Sequence, residues 1–174
     1  MRFDIRGEFA IDRQPPEHLH GIFNKSFWAR VGAEDDCLPG ACGCYVFALK
    51  NGTNVLPWYV GKTEKATFQK ECFQATKINY YNDVLLRHKG QALLFLIPRL
   101  TAAGNKYSKP TSGKYRDVDF LETMLIGLAY ERNRDLVNVK KTKFLREMVV
   151  PGVINTPPGS PSVAVTKLRK TLGL

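Results

Sequence analysis

Apolar and polar side chains alternate with a period of two between residues 43 and 63, which predicts a β-hairpin. Residues 43–49 and 58–62 are rich in aromatic and β-branched side chains. The segment between them contains Asn51 and Gly52, a pair that is typical of tight turns. We therefore expect two antiparallel strands joined by a short connection.

Each predicted strand carries a tyrosine and a glycine on the same face. Tyr45 shares its face with Gly43, and Tyr59 shares its face with Gly61, because successive side chains of a strand point to opposite sides. Glycine weakens a strand and often marks a point where another group approaches the backbone closely. The pattern therefore indicates either a site of close approach or an ordinary hairpin with a bulge.

Four other segments have the apolar spacing of helices. They are residues 18–32, 66–88, 115–133 and 161–172. We expect the first helix to end at Gly32 and the second to be interrupted near Ala75 and Thr76. Ser160 and Pro161 have the residue types of an N-cap and a first helical position, so the last helix should begin there.

Residues 92–98 are apolar at every position, which indicates a strand that is covered on both faces. This segment should form the third strand of a sheet with the hairpin. A short alternation from Phe3 to Ile11 predicts one short strand or hairpin, and residues 134–155 are expected to contain another short strand. The fold class expected is α/β in the α+β sense, with a small, mainly antiparallel three-stranded sheet flanked by helices in a single domain, 1–174.

A carboxylate lies close to the apolar side of the predicted helix 115–133. At 100° per residue Glu122 falls between Val118, Ile126 and Ala129. The apolar arc itself consists of Val118, Leu121, Leu125, Leu128 and Ala129. A carboxylate near the core costs roughly several kcal/mol unless it is paired, hydrogen-bonded or bound to a metal. Glu122 is therefore expected either to belong to a functional site or to form a salt bridge with one of the many cations.

The charge balance favours a polyanionic partner. The chain has 26 Lys and Arg against 16 Asp and Glu, a formal net charge of +10. It contains no apolar run near the length of about 18 residues that spans a membrane, and its first residues are charged throughout. We expect a cytoplasmic protein that binds nucleic acid and does not associate with a membrane.

Two short motifs suggest other chemistry but do not fit it. Cys37, Cys42 and Cys44 lack the paired spacing of a zinc site, and we expect reduced cysteines that pack in the core. The sequence from Gly61 to Thr63 matches the end of a phosphate-binding P-loop, but Leu56 stands where that loop needs a glycine. We therefore expect no nucleotide cofactor.

Residues 99–116 form a basic segment without acidic residues. Tyr107 and Tyr115 lie among its cations, which suits phosphate contacts with occasional base stacking. We expect a mobile loop that binds nucleic acid, with a solvated insertion as the alternative. The residues expected to contact nucleic acid are Lys62, Lys106, Lys109, Lys114, Arg116, Lys140 and Lys141.

The sequence GCY, followed after thirteen residues by YVG, resembles the paired signature of the GIY-YIG nuclease superfamily. Lys70 lies nine residues after Gly61, where that superfamily usually has an arginine. Glu122 resembles the metal-binding glutamate of the family, and Asn138 has about the spacing of its late asparagine. The resemblance covers residues 41–142 and is nearest to an uncharacterised bacterial and phage-type branch. It implies a GIY-YIG-like catalytic core, with residues 1–40 and 143–174 as N-terminal and C-terminal extensions.

The resemblance implies a divalent-metal-dependent endonuclease that hydrolyses phosphodiester bonds in DNA, with RNA left open as a substrate. Glu122 would hold Mg²⁺ or Mn²⁺, and Tyr45 would be the general base, helped by Lys62. Lys70 would neutralise charge on the transition state, although lysine lacks the bidentate fork of arginine. Tyr59 and Asn138 would position the site.

Two other functions remain open on the sequence alone. The first is a nucleic-acid-binding module with the same fold but with weak or no catalysis. The second is a scaffold that uses the same charge to bind acidic proteins.

Overall fold

The computed structural model describes residues 1–13, 24–138, 142–156 and 158–174, which form two compact units, Met1–Asn138 and Val139–Leu174. The larger unit is an α+β fold built on one antiparallel sheet. Its elements, in chain order, are β1 (Arg6–Ala10), α1 (Asn24–Glu34), β2 (Gly43–Asn51), β3 (Asn54–Thr63), α2 (Phe68–Glu71), α3 (Ala75–Arg87), β4 (Gln91–Pro98) and α4 (Arg116–Arg132). The smaller unit contains α5 (Thr142–Glu147) and α6 (Val163–Leu172).

The sheet has four strands in the order β1-β4-β2-β3, and the expectation of three strands is corrected. The additional strand, β1, comes from the predicted N-terminal extension and pairs antiparallel with β4, with Phe9 opposite Leu94. β4 was correctly predicted to be a strand covered on both faces, since Leu94 and Ile97 are buried in different apolar clusters. Residues 6–10 therefore belong to the body of the fold.

The β2–β3 hairpin is confirmed, and both of its strands are longer than predicted. Gly52 has a φ of +59° in the turn, a conformation that glycine adopts without strain. Pro57 lies inside β3, where the pairing shifts by one residue after Phe47. Proline is tolerated there because β3 is an edge strand and the shift forms a bulge.

Helices cover both faces of the sheet. Tyr45 and Phe47 of β2 lie in the main cluster with side chains of α1 and α3, such as Trp28 and Tyr81. Cys44 belongs to the cluster on the other face, as predicted from its position next to Tyr45. The other members of that second cluster are Ile97, Val118, Phe3, Val46, Tyr115, Leu121 and Leu125.

The predicted helix 66–88 is two helices. The break occurs at Cys72–Gln74, slightly before the expected position, and Thr67 caps the short α2 by accepting a hydrogen bond from the Lys70 amide. α1 continues through Gly32 to Glu34, so this glycine does not end the helix. The first part of the predicted helix 18–32 lies outside the described residues.

The smaller unit differs from its prediction in two places. Residues 142–147 form α5, in the region where a short strand was expected, and a tight turn pairs Val150 with Ile154. α6 begins at Val163 because Ser162, and not Ser160, is its N-cap. In both units, none of the helices in the described part of the chain is long and apolar enough to cross a membrane.

Candidate active site

Tyr45 is completely buried, and its ring packs directly on Gly61 of the neighbouring strand. A Cβ atom at Gly61 would lie 2.8 Å from Cε2 of Tyr45 and closer still to Cζ and the hydroxyl. At Gly43 a Cβ atom would collide with the β4 backbone, 3.0 Å from the Arg99 nitrogen. The two glycines of the hairpin are therefore required by contacts within the protein, not by a ligand.

The Tyr45 hydroxyl is 0% exposed and forms no hydrogen bond of standard geometry among the described residues. Burial raises the pKa of Tyr45 well above its ordinary value of 10.0. The nearby cation that was expected to favour its phenolate, Lys62, is engaged by acidic groups instead. A phenolate at Tyr45 is therefore disfavoured in this structure.

Tyr59 lies at the centre of an aromatic cluster at the junction of β3 and α3. Its ring is 6.2 Å from Tyr45, 5.7 Å from Tyr80 and 6.0 Å from Tyr81. Tyr59 is 9% exposed, whereas Tyr45 is 0% exposed. Burial raises the pKa of Tyr59, and the interaction of its hydroxyl with Lys77 partly reverses that effect. Of the two hairpin tyrosines, Tyr59 is the one next to a cation.

Glu122 lies on the side of α4 that faces the sheet. It follows Val118 and precedes Ile126 by four residues each, and both of these neighbours are buried. α4 packs on β3, the strand that carries Tyr59 and Lys62, and the charge of Glu122 adds a small increase to the pKa of each, after burial and their nearer partners. The structure thus brings together side chains that are about sixty residues apart in the sequence.

The predicted apolar arc of α4 is only partly correct. Leu128 was placed in the arc but is 65% exposed, whereas Ile126 and Tyr130 are buried. α4 packs on β3, so its inward side is centred nearer Glu122 than the apolar arc suggested. Glu122 is therefore nearer the middle of the α4 surface that packs on the sheet than the sequence pattern predicted.

Acidic groups surround Lys62 at the end of β3. Its ammonium is 2.9 Å from Glu64 and 2.5 Å from Asp119. Burial lowers the pKa of Lys62, but the hydrogen bonds with Asp119 and Glu64 raise it overall, and Glu122 contributes. Three carboxylates near one ammonium leave this corner of a basic protein locally acidic.

Asn138 has a structural role that the sequence did not reveal. Its side-chain oxygen accepts a hydrogen bond from the Val60 nitrogen at 2.8 Å, and its side-chain nitrogen donates to the Val60 oxygen at 2.7 Å. Together these two bonds reproduce one rung of strand pairing on β3. Asn138 therefore fixes the strand between Tyr59 and Gly61.

Lys70 is exposed on α2, a helix of only four residues. Among the described residues, no hydrogen bond or ion pair joins its ammonium to either hairpin tyrosine. The cation beside Tyr59 is Lys77, in the first turn of α3. Its position was open to sequence reasoning, because Lys77 precedes the buried Tyr81 by four residues and so falls on the apolar side of its helix.

The first part of the basic segment after β4 is held by backbone hydrogen bonds, and residues 109–115 form a loop without regular secondary structure. Leu100 pairs with Tyr107, and Ser108 donates a backbone hydrogen bond to the Arg99 oxygen at 2.7 Å. Arg99 is bound to Asp117 at 2.7 Å and lies 4.3 Å from the centre of the Tyr115 ring. Residues 99–108 are therefore a hairpin with one structural arginine.

The predicted contacts to nucleic acid fall into three groups. Lys106, Lys109, Lys114 and Arg116 are exposed. Lys62 is paired, as described above, and Lys140 and Lys141 lie outside the described residues. Lys106 and Lys109 line a cavity of about 540 Å³ with Arg6, Asp35 and Tyr107. The exposed lysines are thus available to an anion, whereas Lys62 is not.

Within the described ranges, one group of three potential metal ligands lies together, and it is away from the hairpin. It consists of Asp35, Asp36 and Cys37, with all ligand atoms within 4.8 Å of one another. Asp35 already accepts hydrogen bonds from the Cys37 nitrogen and from the Tyr107 hydroxyl. The four cysteines are free thiols, as expected; Cys42, Cys44 and Cys72 are buried, whereas Cys37 is exposed, so the expectation that it packs in the core is wrong.

Comparison of the chain with protein-family models, with curated proteins and with solved structures gave no match.

Proposed function

We propose that this chain is an endonuclease of the GIY-YIG type, which hydrolyses phosphodiester bonds in DNA with Mg²⁺ or Mn²⁺. One observation carries the proposal: α4, which has Glu122 on its inward side, packs on β3, the strand that carries Tyr59 and Lys62. An acid, a tyrosine and cations in one partly buried corner are the groups that metal-assisted hydrolysis needs. The motifs GCY and YVG and the antiparallel hairpin that carries them support the same assignment.

The groups of the protein have separate roles in this proposal. When bound, the cation would polarise the scissile phosphate and stabilise the leaving oxygen. Glu122 holds it, and Lys62 stays with Glu64 and Asp119, where it balances part of the negative charge. Tyr59, next to Lys77, orients the attacking water and, as its phenolate, accepts the proton of that water to become the neutral phenol. Tyr45 packs behind Tyr59 and holds its ring in place.

A nucleic-acid-binding module that does not cleave is the second candidate. The complete burial of the Tyr45 hydroxyl favours it, because this group is not presented to a substrate in the structure. Exposed cations on the segment after β4 serve either function equally well.

Plasmid nicking by the wild-type protein decides between the two functions, and replacement of Glu122 by Gln tests the role of Glu122. We expect wild-type protein to nick supercoiled plasmid with Mg²⁺ or Mn²⁺ and to stop when a chelator is added. Glu122→Gln should keep its thermal unfolding temperature and its affinity for DNA but lose the nicking, because a neutral amide is a poor ligand for a hard cation.

Glu131→Gln is the matched control, since Glu131 is an exposed residue of the same helix that pairs with Arg134. This variant should nick at the wild-type rate. Wild-type protein that binds DNA but never nicks it would favour the binding module, and nicking by Glu122→Gln would refute the role of Glu122.

A further inference from the structure

Lys77 lies at the junction of the tyrosine cluster with solvent. Its ammonium is 5.6 Å from the centre of the Tyr59 ring and 3.8 Å from a carboxylate oxygen of Glu71. The side chains of Lys77 and Glu71 are each 20% exposed. Lys77 is therefore a partly buried cation beside the aromatic cluster.

The break between α2 and α3 gives Lys77 this place. Because the chain turns at Cys72–Gln74, α3 begins a new turn with Lys77 four residues before Tyr81, on the side that faces the core. Lys70, before the break, is exposed. The interruption thus changes which lysine of this region reaches the tyrosines.

The contacts of Lys77 hold its ammonium without saturating it. A separation of 3.8 Å from Glu71 is longer than a hydrogen bond, and an ammonium has three donors. With the Tyr59 hydroxyl as its other partner, Lys77 keeps a donor for an incoming anion. The two carboxylate partners of Lys62 lie closer, within 2.9 Å of its ammonium.

We infer that Lys77 contacts the scissile phosphate and that Glu71 acts as its positioning residue, so that the positive charge of the site comes from α3 and not from Lys70. The inference rests on the proposed function. A phosphate oxygen that contacts both Lys77 and the Tyr59 hydroxyl would lie between α3 and β3, the strand on which α4 also packs.

The test compares two single-charge deletions, Lys77→Met and Lys70→Met, with Lys77→Arg and Lys77→Gln as companions. Single-turnover nicking with Mg²⁺ and equilibrium binding of a short fluorescent DNA duplex at several salt concentrations in chelator would be measured for each. We expect Lys77→Met to lose about 10²-fold or more in rate, as when one donor to a transition-state oxygen is removed. It should also flatten the plot of log K against log salt by about one unit.

Lys70→Met should retain the wild-type rate and slope, and Lys77→Arg should recover most of both because it keeps the charge. Thermal unfolding is the control for folding. If Lys77→Met does not fold, Lys77→Gln replaces it, since it keeps a polar end of shorter reach. If neither neutral variant folds, Lys70→Met decides: a wild-type rate and slope there support the inference, and a loss of both there overturns it.

Losses in Lys70→Met with none in the Lys77 variants would overturn the inference and leave the proposed nuclease standing. If wild-type protein binds DNA but does not nick it, the nuclease proposal fails, and the two salt slopes still decide which lysine contacts phosphate. An absence of any DNA affinity in the wild-type protein would overturn both.

Discussion

The two tyrosines of the hairpin differ in what surrounds their hydroxyl groups. Tyr45 is enclosed by the core, with Gly61 beneath its ring, and burial raises its pKa. Tyr59 retains some exposure and interacts with Lys77. The sequence pattern made Tyr45 the expected base, but a motif cannot show how deeply each ring is buried, and burial decides which hydroxyl a substrate can meet.

Tyr59→Phe should therefore lower the single-turnover nicking rate by about 10²-fold or more, the usual effect of losing a general base. Tyr45→Phe should lower it by much less and should not lower the free energy of unfolding, because the hydroxyl it removes has no hydrogen-bond partner of standard geometry among the described residues. Rates would be measured by rapid quench, and stability by urea unfolding.

The pKa of Tyr59 also predicts how the nicking rate should change with pH. Because burial raises the pKa of Tyr59 above 10.0, the reactive phenolate is scarce at neutral pH. The wild-type rate should rise with pH up to the alkaline limit of folding, and Tyr59→Phe should remove that rise. A larger loss in Tyr45→Phe than in Tyr59→Phe would return the role of base to Tyr45.

At the scale of elements, two glycines that look alike in the sequence should respond in opposite ways to alanine. Gly61→Ala would force a methyl group into the Tyr45 ring and should cost about 1–3 kcal/mol, as overpacking usually does. Gly127→Ala, inside α4, meets no atom within 4 Å and should stabilise the helix by about 0.5–1 kcal/mol. Urea unfolding of both variants measures the difference, and equal effects of the two would contradict the packing of Tyr45 on Gly61.

The elements that could be predicted are those whose pattern is local. The alternation around Tyr45, the unbroken apolar run of residues 92–98 and the helical spacing around Glu122 depend only on neighbours along the chain. The pairing of β1 with β4 could not be predicted, because nothing in the residues around Phe9 specifies a partner about eighty-five positions away.

Some features of the candidate site could likewise be predicted from the sequence, and others could not. The approach of Glu122 to the core follows from its angular position on α4, so it was accessible to sequence reasoning. The side of α3 on which Lys77 lies follows from its spacing to Tyr81, so it was accessible too, although the motif directed attention to Lys70. The place of Asn138 depends on how the chain returns to β3, which is a tertiary contact that no local pattern specifies.

At the scale of the whole molecule, the exposed lysines after β4 should supply affinity for DNA without sequence choice. Replacing Lys106, Lys109 and Lys114 together by Gln should flatten the plot of log K against log salt by up to about three units on duplex DNA. The ranking of different duplexes should stay the same, because phosphates carry no sequence information. Fluorescence anisotropy at several salt concentrations provides the measurement.

The rate of nicking at saturating protein should be unchanged in this triple variant, since none of the three lysines contacts the tyrosine cluster in the described structure. A wild-type salt slope in the triple variant would mean that the path of the DNA lies elsewhere on the basic surface.

The edge of the sheet at β3 is closed by the residues that follow α4. The Asn133 side chain donates to the Pro57 oxygen at 2.8 Å, and the Val137 nitrogen donates to the Trp58 oxygen. The Asn138 side chain hydrogen-bonds to both the nitrogen and the oxygen of Val60. An open edge would offer these groups to a strand of another molecule, which is a common route to aggregation. Many proteins prevent this with charged side chains, but here neutral amides occupy the hydrogen-bonding positions. The strand that carries half of the candidate site is thereby kept from recruiting a second chain, without adding charge beside its acidic corner.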